Sequence, residues 1–294
     1  MPIAGTLLLI VTQHNFIMQF FRAQEFHYKI IRSNPKALNA PYPLLRDSGG
    51  KKGFFCISPH HGRSFVVEID KEKKYVVSKG NGLSYSQYRN LYTAEYGDNI
   101  WGVLLKEDAI RDFSMGMIIA ELGIKTNLME FVLELDTKIL LPNGHQIPPI
   151  LLQYTVECPY RICDTAYMPK KLITEQVEKW EVYNDEGYKH SYLIASELLI
   201  KNLYILHKNN VLHNAIHFQN VTWALELLDF ELACCPSYPH KKENSKIIDL
   251  FDREVIQTYE IISHIAWSLG EKIDYKKIDD LFYKYGFDLS HMKV

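Results

Sequence analysis

His213, Asn220 and Asp229 carry side chains that could work together if the chain folds back between them. Asn and Asp offer hard oxygen ligands, which suit magnesium while waters and substrate phosphates complete its coordination. Ala215 stands two residues after His213, where a carboxylate could have accepted a hydroxyl proton, so the usual general base is missing. The polar side chains left in that loop are His217 and Gln219. An imidazole titrates near neutrality and suits a base or a phosphate partner, whereas an amide can only position a nucleophile. Either also suits a purely structural role. The competing reading of the stretch is a buried hairpin, with Asp229 as a turn residue and His213 as a satisfied core histidine.

A triphosphate would also need a cation held in place. Lys79 ends the apolar run Tyr75-Val76-Val77-Ser78, and Asp112 lies in a helical stretch as the acid suited to steady it. An exposed salt bridge is the bland account of that pair. The run Lys79-Gly80-Asn81-Gly82 is glycine-broken, which lets backbone amides approach phosphate, and it is equally what any tight turn looks like. Gly62 and Arg63 either close over the phosphates, since a guanidinium makes bidentate contacts to oxygens, or form a plain hairpin turn.

The elements that must position these groups follow from pattern. Residues 54–57, 64–69 and 74–78 read as short strands, 129–135 and 150–156 as two more. Residues 109–122 read as a helix ended by Gly123, and 191–207 as a helix with one broad apolar face. Two final helices are expected over 246–269 and 276–285. The apolar runs 3–11 and 16–21 read as a buried or partner-covered N-terminal helix, and the Pro- and Asn-rich segment 34–52 as a linker. The expected division is therefore 1–52 helical extension and linker, 53–158 a β-rich half, and 159–294 a helical half. Strands with one main helix, followed by helices, give a bilobal α+β architecture.

The chain has 294 residues, 47% of them hydrophobic and 23% charged, enough to bury a substantial core. A formal charge of −2 gives no electrostatic footprint for nucleic acid or an anionic membrane, so neither is expected as a partner. Five cysteines, without zinc-ligand spacing, argue against a disulfide framework and fit a reducing cytoplasm. Nothing in the sequence points to an oligomeric state.

Helix, polar turn, His-loop-Asn, hairpin and Asp-Phe, in that order, resemble the C-lobe of protein-kinase-like enzymes. More narrowly, the chain resembles the selenoprotein O family of protein adenylyltransferase-type pseudokinases. Gly62-Arg63, Lys79-Gly80-Asn81-Gly82 with Tyr85-Ser86, Ile110-Arg111-Asp112-Phe113, Glu121-Leu122-Gly123-Ile124-Lys125-Thr126, and the frame of His213, Asn220 and Asp229 carry that resemblance in order and spacing. It implies a bilobal protein-kinase-like fold that uses ATP and Mg2+ and transfers AMP to a protein or peptide hydroxyl. Lys79 would then contact phosphate, Asp112 would orient Lys79, Asn220 and Asp229 would bind magnesium, and Arg161 would stand for the family's C-lobe phosphate arginines. Gln219 and Glu231 depart from the family's Asp and Gly. Those departures, with Ala215, favour the alternative of an inactive pseudokinase that binds nucleotide or a partner. A small-molecule phosphotransferase is a third reading, suggested by His213 and His217, but that class needs the Asp that Ala215 replaces.

Overall fold

The computed structural model describes residues 19–46, 52–56, 64–82, 102–140, 144–239 and 247–292. The first half of the chain builds one antiparallel sheet. Its strands are β1 (Gln19–Glu25), β2 (Tyr28–Ser33), β3 (Leu44–Arg46), β4 (Lys52–Cys56), β5 (Ser64–Ile69), β6 (Tyr75–Lys79), β7 (Leu128–Leu135) and β10 (Ile150–Val156). A two-stranded hairpin of β8 (Ile139–Leu140) and β9 (Gln146–Ile147) projects between the last two. The spatial order is β2-β7-β10-β6-β5-β4-β1-β3.

β10 lies near the middle, and all seven of its residues are buried. On one face sits α1 (Lys106–Glu121), packed on β7 and β10. Glu107 and Asp108 favour its N-terminal end, and Gly123, at φ +79°, turns the chain out of it. Gly116 lets α1 approach closely: a β-carbon there would meet the Met129 side chain at 2.5 Å and the Phe230 ring at 3.0 Å.

The N-terminal expectation is corrected here. Residues 19–33 form two strands of the sheet, not a helix, because β1 pairs with β4 and β3 while β2 pairs with β7. These partners are distant in sequence, so local pattern carries no sign of them. Residues 34–46 are not a free linker either; they cross the sheet. Asn39 donates to Glu130 at 2.8 Å, the Tyr42 amide donates to Gln153 at 2.8 Å, and Gln153 donates to the Ala40 carbonyl at 3.0 Å. Glu130 and Gln153 are fully buried, so the polar composition of this crossing satisfies groups that burial would otherwise penalise. The expected helix over 3–11 lies outside the described residues.

The second half is helical: α2 (Lys170–Trp180), α3 (Ser191–Lys208), α4 (Ile247–Leu269) and α5 (Tyr275–Lys284). Helix α3 packs against α2, α4 and α5. Its end is set by Asn209 and by Asn210, which takes φ +53°. Trp180 is buried against Trp223, their rings parallel and 5.8 Å apart. One hydrophobic cluster runs from Val77 and Leu152 in the sheet through Leu228 and Phe230 to Ile262 and Ile265 in α4. Among the described residues no helix is long and apolar enough to cross a membrane.

Candidate nucleotide and metal site

Lys79 is the last residue of β6 and is 2% exposed. Its ammonium lies 2.8 Å from an Asp112 oxygen, 2.7 Å from Asp229 and 3.7 Å from Glu231. The exposed salt bridge that was the bland account of this pair does not hold, since both side chains are buried. Asp112, in the second turn of α1, uses its other oxygen to accept the Phe230 amide at 2.8 Å. Burial raises the Asp112 carboxyl above its ordinary range, the Lys79 charge opposes that, and Asp229 and Glu231 add to it. Ligand oxygens of Asp112, Asp229 and Glu231 all lie within 4.8 Å of one another. Three carboxylates thus gather at the Lys79 ammonium.

Asp229 is delivered by the segment 221–228 and takes φ +67°, a left-handed conformation that costs a non-glycine residue free energy. Lys79 and the Phe230–Asp112 bond hold it there. Phe230 is fully buried, its ring centre 5.3 Å from that of His213. His213 donates from Nε2 to the Leu228 carbonyl at 2.9 Å, and its Nδ1 accepts the Ala215 amide at 3.2 Å. Burial depresses its pKa, so the ring is neutral and ties the loop to the segment that carries Asp229.

The loop residues are placed differently from one another. The Asn220 side chain donates to the Ala215 carbonyl at 2.9 Å, closing the loop on itself. Its oxygen accepts from Arg161 at 3.3 Å. The Asn220 carbonyl accepts the Leu228 amide at 2.9 Å, which places the residue beside the approach to Asp229. Arg161 is buried and donates to the Gln219 carbonyl at 2.7 Å. Its guanidinium therefore serves the loop in this arrangement. Gln219 is exposed and His217 half-buried. The His217 ring lies 3.8 Å from Phe218, which in turn lies 4.1 Å from His264 on α4. Partial burial lowers its pKa, with Glu260 opposing. Gly62, Arg63, Tyr85 and Ser86 lie outside the described residues. Gly80 is at φ +98°, where a β-carbon would run into the Ile150 carbonyl, and the Gly82 amide is held by Gly102.

Between the sheet and the helical half runs a cleft with Val77, Tyr154 and Val156 above and Thr222 and Leu228 below. The space between these side chains is about 20 Å³, enough for a water. Two contributors were not foreseen from sequence. Glu231 had counted only as a departure from a glycine, and it stands beside Lys79. Glu226, a single acid in the apolar run 223–228, is 3% exposed, and such an isolated acid signals a buried, partnered carboxylate.

No protein-family model matches the chain, and no curated protein matches it. Among solved structures it is similar to the rhoptry antigen kinase domain of Toxoplasma gondii. The two share 10% identity with a TM-score of 0.37, over 94% of this chain and 81% of that one. The architecture itself is α+β: a β-rich first half with one packed helix, a helical second half, and a cleft between them.

Proposed function

We propose that the chain is an ATP-using transferase of the kinase-like class, moving AMP to a hydroxyl of a protein or peptide, as its selenoprotein O-like motifs suggest. The observation that carries this reading is Lys79, a buried ammonium shared between an acid on α1 and an acid at the end of the hairpin. Beside the Lys79–Asp112 pair the oxygens of Asp229 and Glu231 converge, a grouping of hard ligands that suits a divalent ion beside a phosphate. Asp229 and Glu231 would hold Mg2+, and Asn220 would join by giving up Arg161. Bound there, Mg2+ supplies charge neutralisation to the phosphates. Asp112 would keep Lys79 aimed at the phosphate oxygens, and Arg161, once released, would be a second cation for them. With Ala215 in the loop, no carboxylate there accepts the acceptor proton. His217 and Gln219 are the polar loop side chains that would orient the hydroxyl, and rate would come from positioning and electrostatics.

A second reading is a non-catalytic module that recruits a partner. The narrowness of the cleft favours it, since a purine enters only if the two halves part. Incubation with Mg2+ and α- or γ-labelled ATP separates the readings. Protein-bound α label, lost in Asp229→Ala, supports AMP transfer. Label from the γ position alone replaces that with kinase chemistry. Neither label, with no ATP-induced rise in melting temperature, leaves the module.

A further inference from the structure

The Glu226 carboxylate reaches past Thr222 to the chain that joins the two halves. One oxygen accepts the Glu157 amide at 2.8 Å, and the other accepts the Cys158 amide at 3.4 Å. The Thr222 hydroxyl donates to the same carboxylate at 2.9 Å. The joining residues that line the cleft are Cys158, Pro159 and Arg161. None has a main-chain N–H to offer a ligand. That of Cys158 is held by Glu226, proline has none, and that of Arg161 donates to Asp164 at 2.9 Å. The Arg161 guanidinium is directed at the Gln219 carbonyl and Asn220. The Thr222 hydroxyl proton is spent on Glu226.

Adenine presents an acceptor, N1, beside a donor, the 6-amino group; guanine presents a donor, N1–H, beside an acceptor, O6. A neighbouring donor and acceptor on the protein main chain distinguish these edges. Carbonyls alone accept from the adenine amino group and from guanine N1–H alike. We infer that Glu226, by occupying the Glu157 and Cys158 amides of the joining segment, makes the cleft indifferent to the purine base, so that GTP binds as well as ATP. The base is then held by apolar contact with Val77 and Leu228, and affinity comes from the triphosphate end. This rests on the nucleotide reading above and adds the specificity-determining residue to it.

The test is a titration of the full chain, with Mg2+, against ATP and GTP analogues carrying the same fluorescent ribose label. The two dissociation constants are expected to agree within about threefold, and a preference of about tenfold or more for either base overturns the inference. In that event the nucleotide reading survives; binding of neither analogue overturns both. Glu226→Ala frees two amides and is expected to raise the preference for ATP to about fivefold, the order one hydrogen bond provides. A folded variant with the wild-type ratio removes Glu226 from the explanation. Should the variant not fold, the wild-type ratio decides.

Discussion

Removing the ammonium of Lys79 takes from the buried Asp112 carboxylate its cation, with Asp229 and Glu231 still close by. Asp112 is 2% exposed, so water cannot screen it. Lys79→Met is therefore expected to destabilise the protein by about 3 kcal/mol in urea unfolding, as the loss of one partner of a buried pair does. A change below about 1 kcal/mol would mean the group behaves as a surface pair. Glu226 makes a separate prediction. Burial pushes its carboxyl up to about 7, against the Glu157 amide and the Thr222 hydroxyl, which pull it down. The folded protein thus binds a proton that the unfolded chain has released between the ordinary carboxylate value and 7. Its contribution is complete below that ordinary value and is lost as pH rises through 7, by about 3 kcal/mol in all. Glu226→Gln cannot titrate, so its stability should fall much less than that of wild type between pH 5 and pH 8. Equal slopes for the two proteins would show that another group titrates there.

Helix α1 illustrates how an element answers to its neighbours. By propensity alone Gly116→Ala should stabilise it by about 1 kcal/mol. The added carbon would meet Met129, itself 1% exposed, and the Phe230 ring that carries the Asp229 backbone. Overpacking is expected to win and to cost about 2 kcal/mol net, read as a lower melting temperature. A higher one would mean that α1 shifts freely on the sheet. The elements that local pattern revealed are those with their own periodicity: the 191–208 helix, and the strands 64–69 and 150–156. Strands β1 and β2 escaped because Gln19–Glu25 and Tyr28–Ser33 are fixed by pairing with β4 and β7. Their own residues do not alternate strongly enough to declare a strand.

At the scale of the molecule, the two halves share one apolar core, joined through Leu228 and Phe230, and Glu226 bonds the hairpin to the joining segment. Parting them would expose that core. Calorimetry is therefore expected to give a single transition with equal calorimetric and van't Hoff enthalpies. Two resolved transitions would show that the halves fold independently. The sequence by itself determined the order of strands and helices from residue 54 onward in outline, the identity of Lys79, Asp112 and Asp229 as chemically suited side chains, and the missing carboxylate at Ala215. Spacing and side-chain type are local properties, and they are legible without a fold. Only the tertiary structure decided that Lys79 is buried among three acids, that Asn220 and Arg161 face each other, and that Glu226 spends the amides at the cleft. Those outcomes depend on which groups lose their water together, and burial is set by contacts between residues as far apart in the chain as 79 and 229.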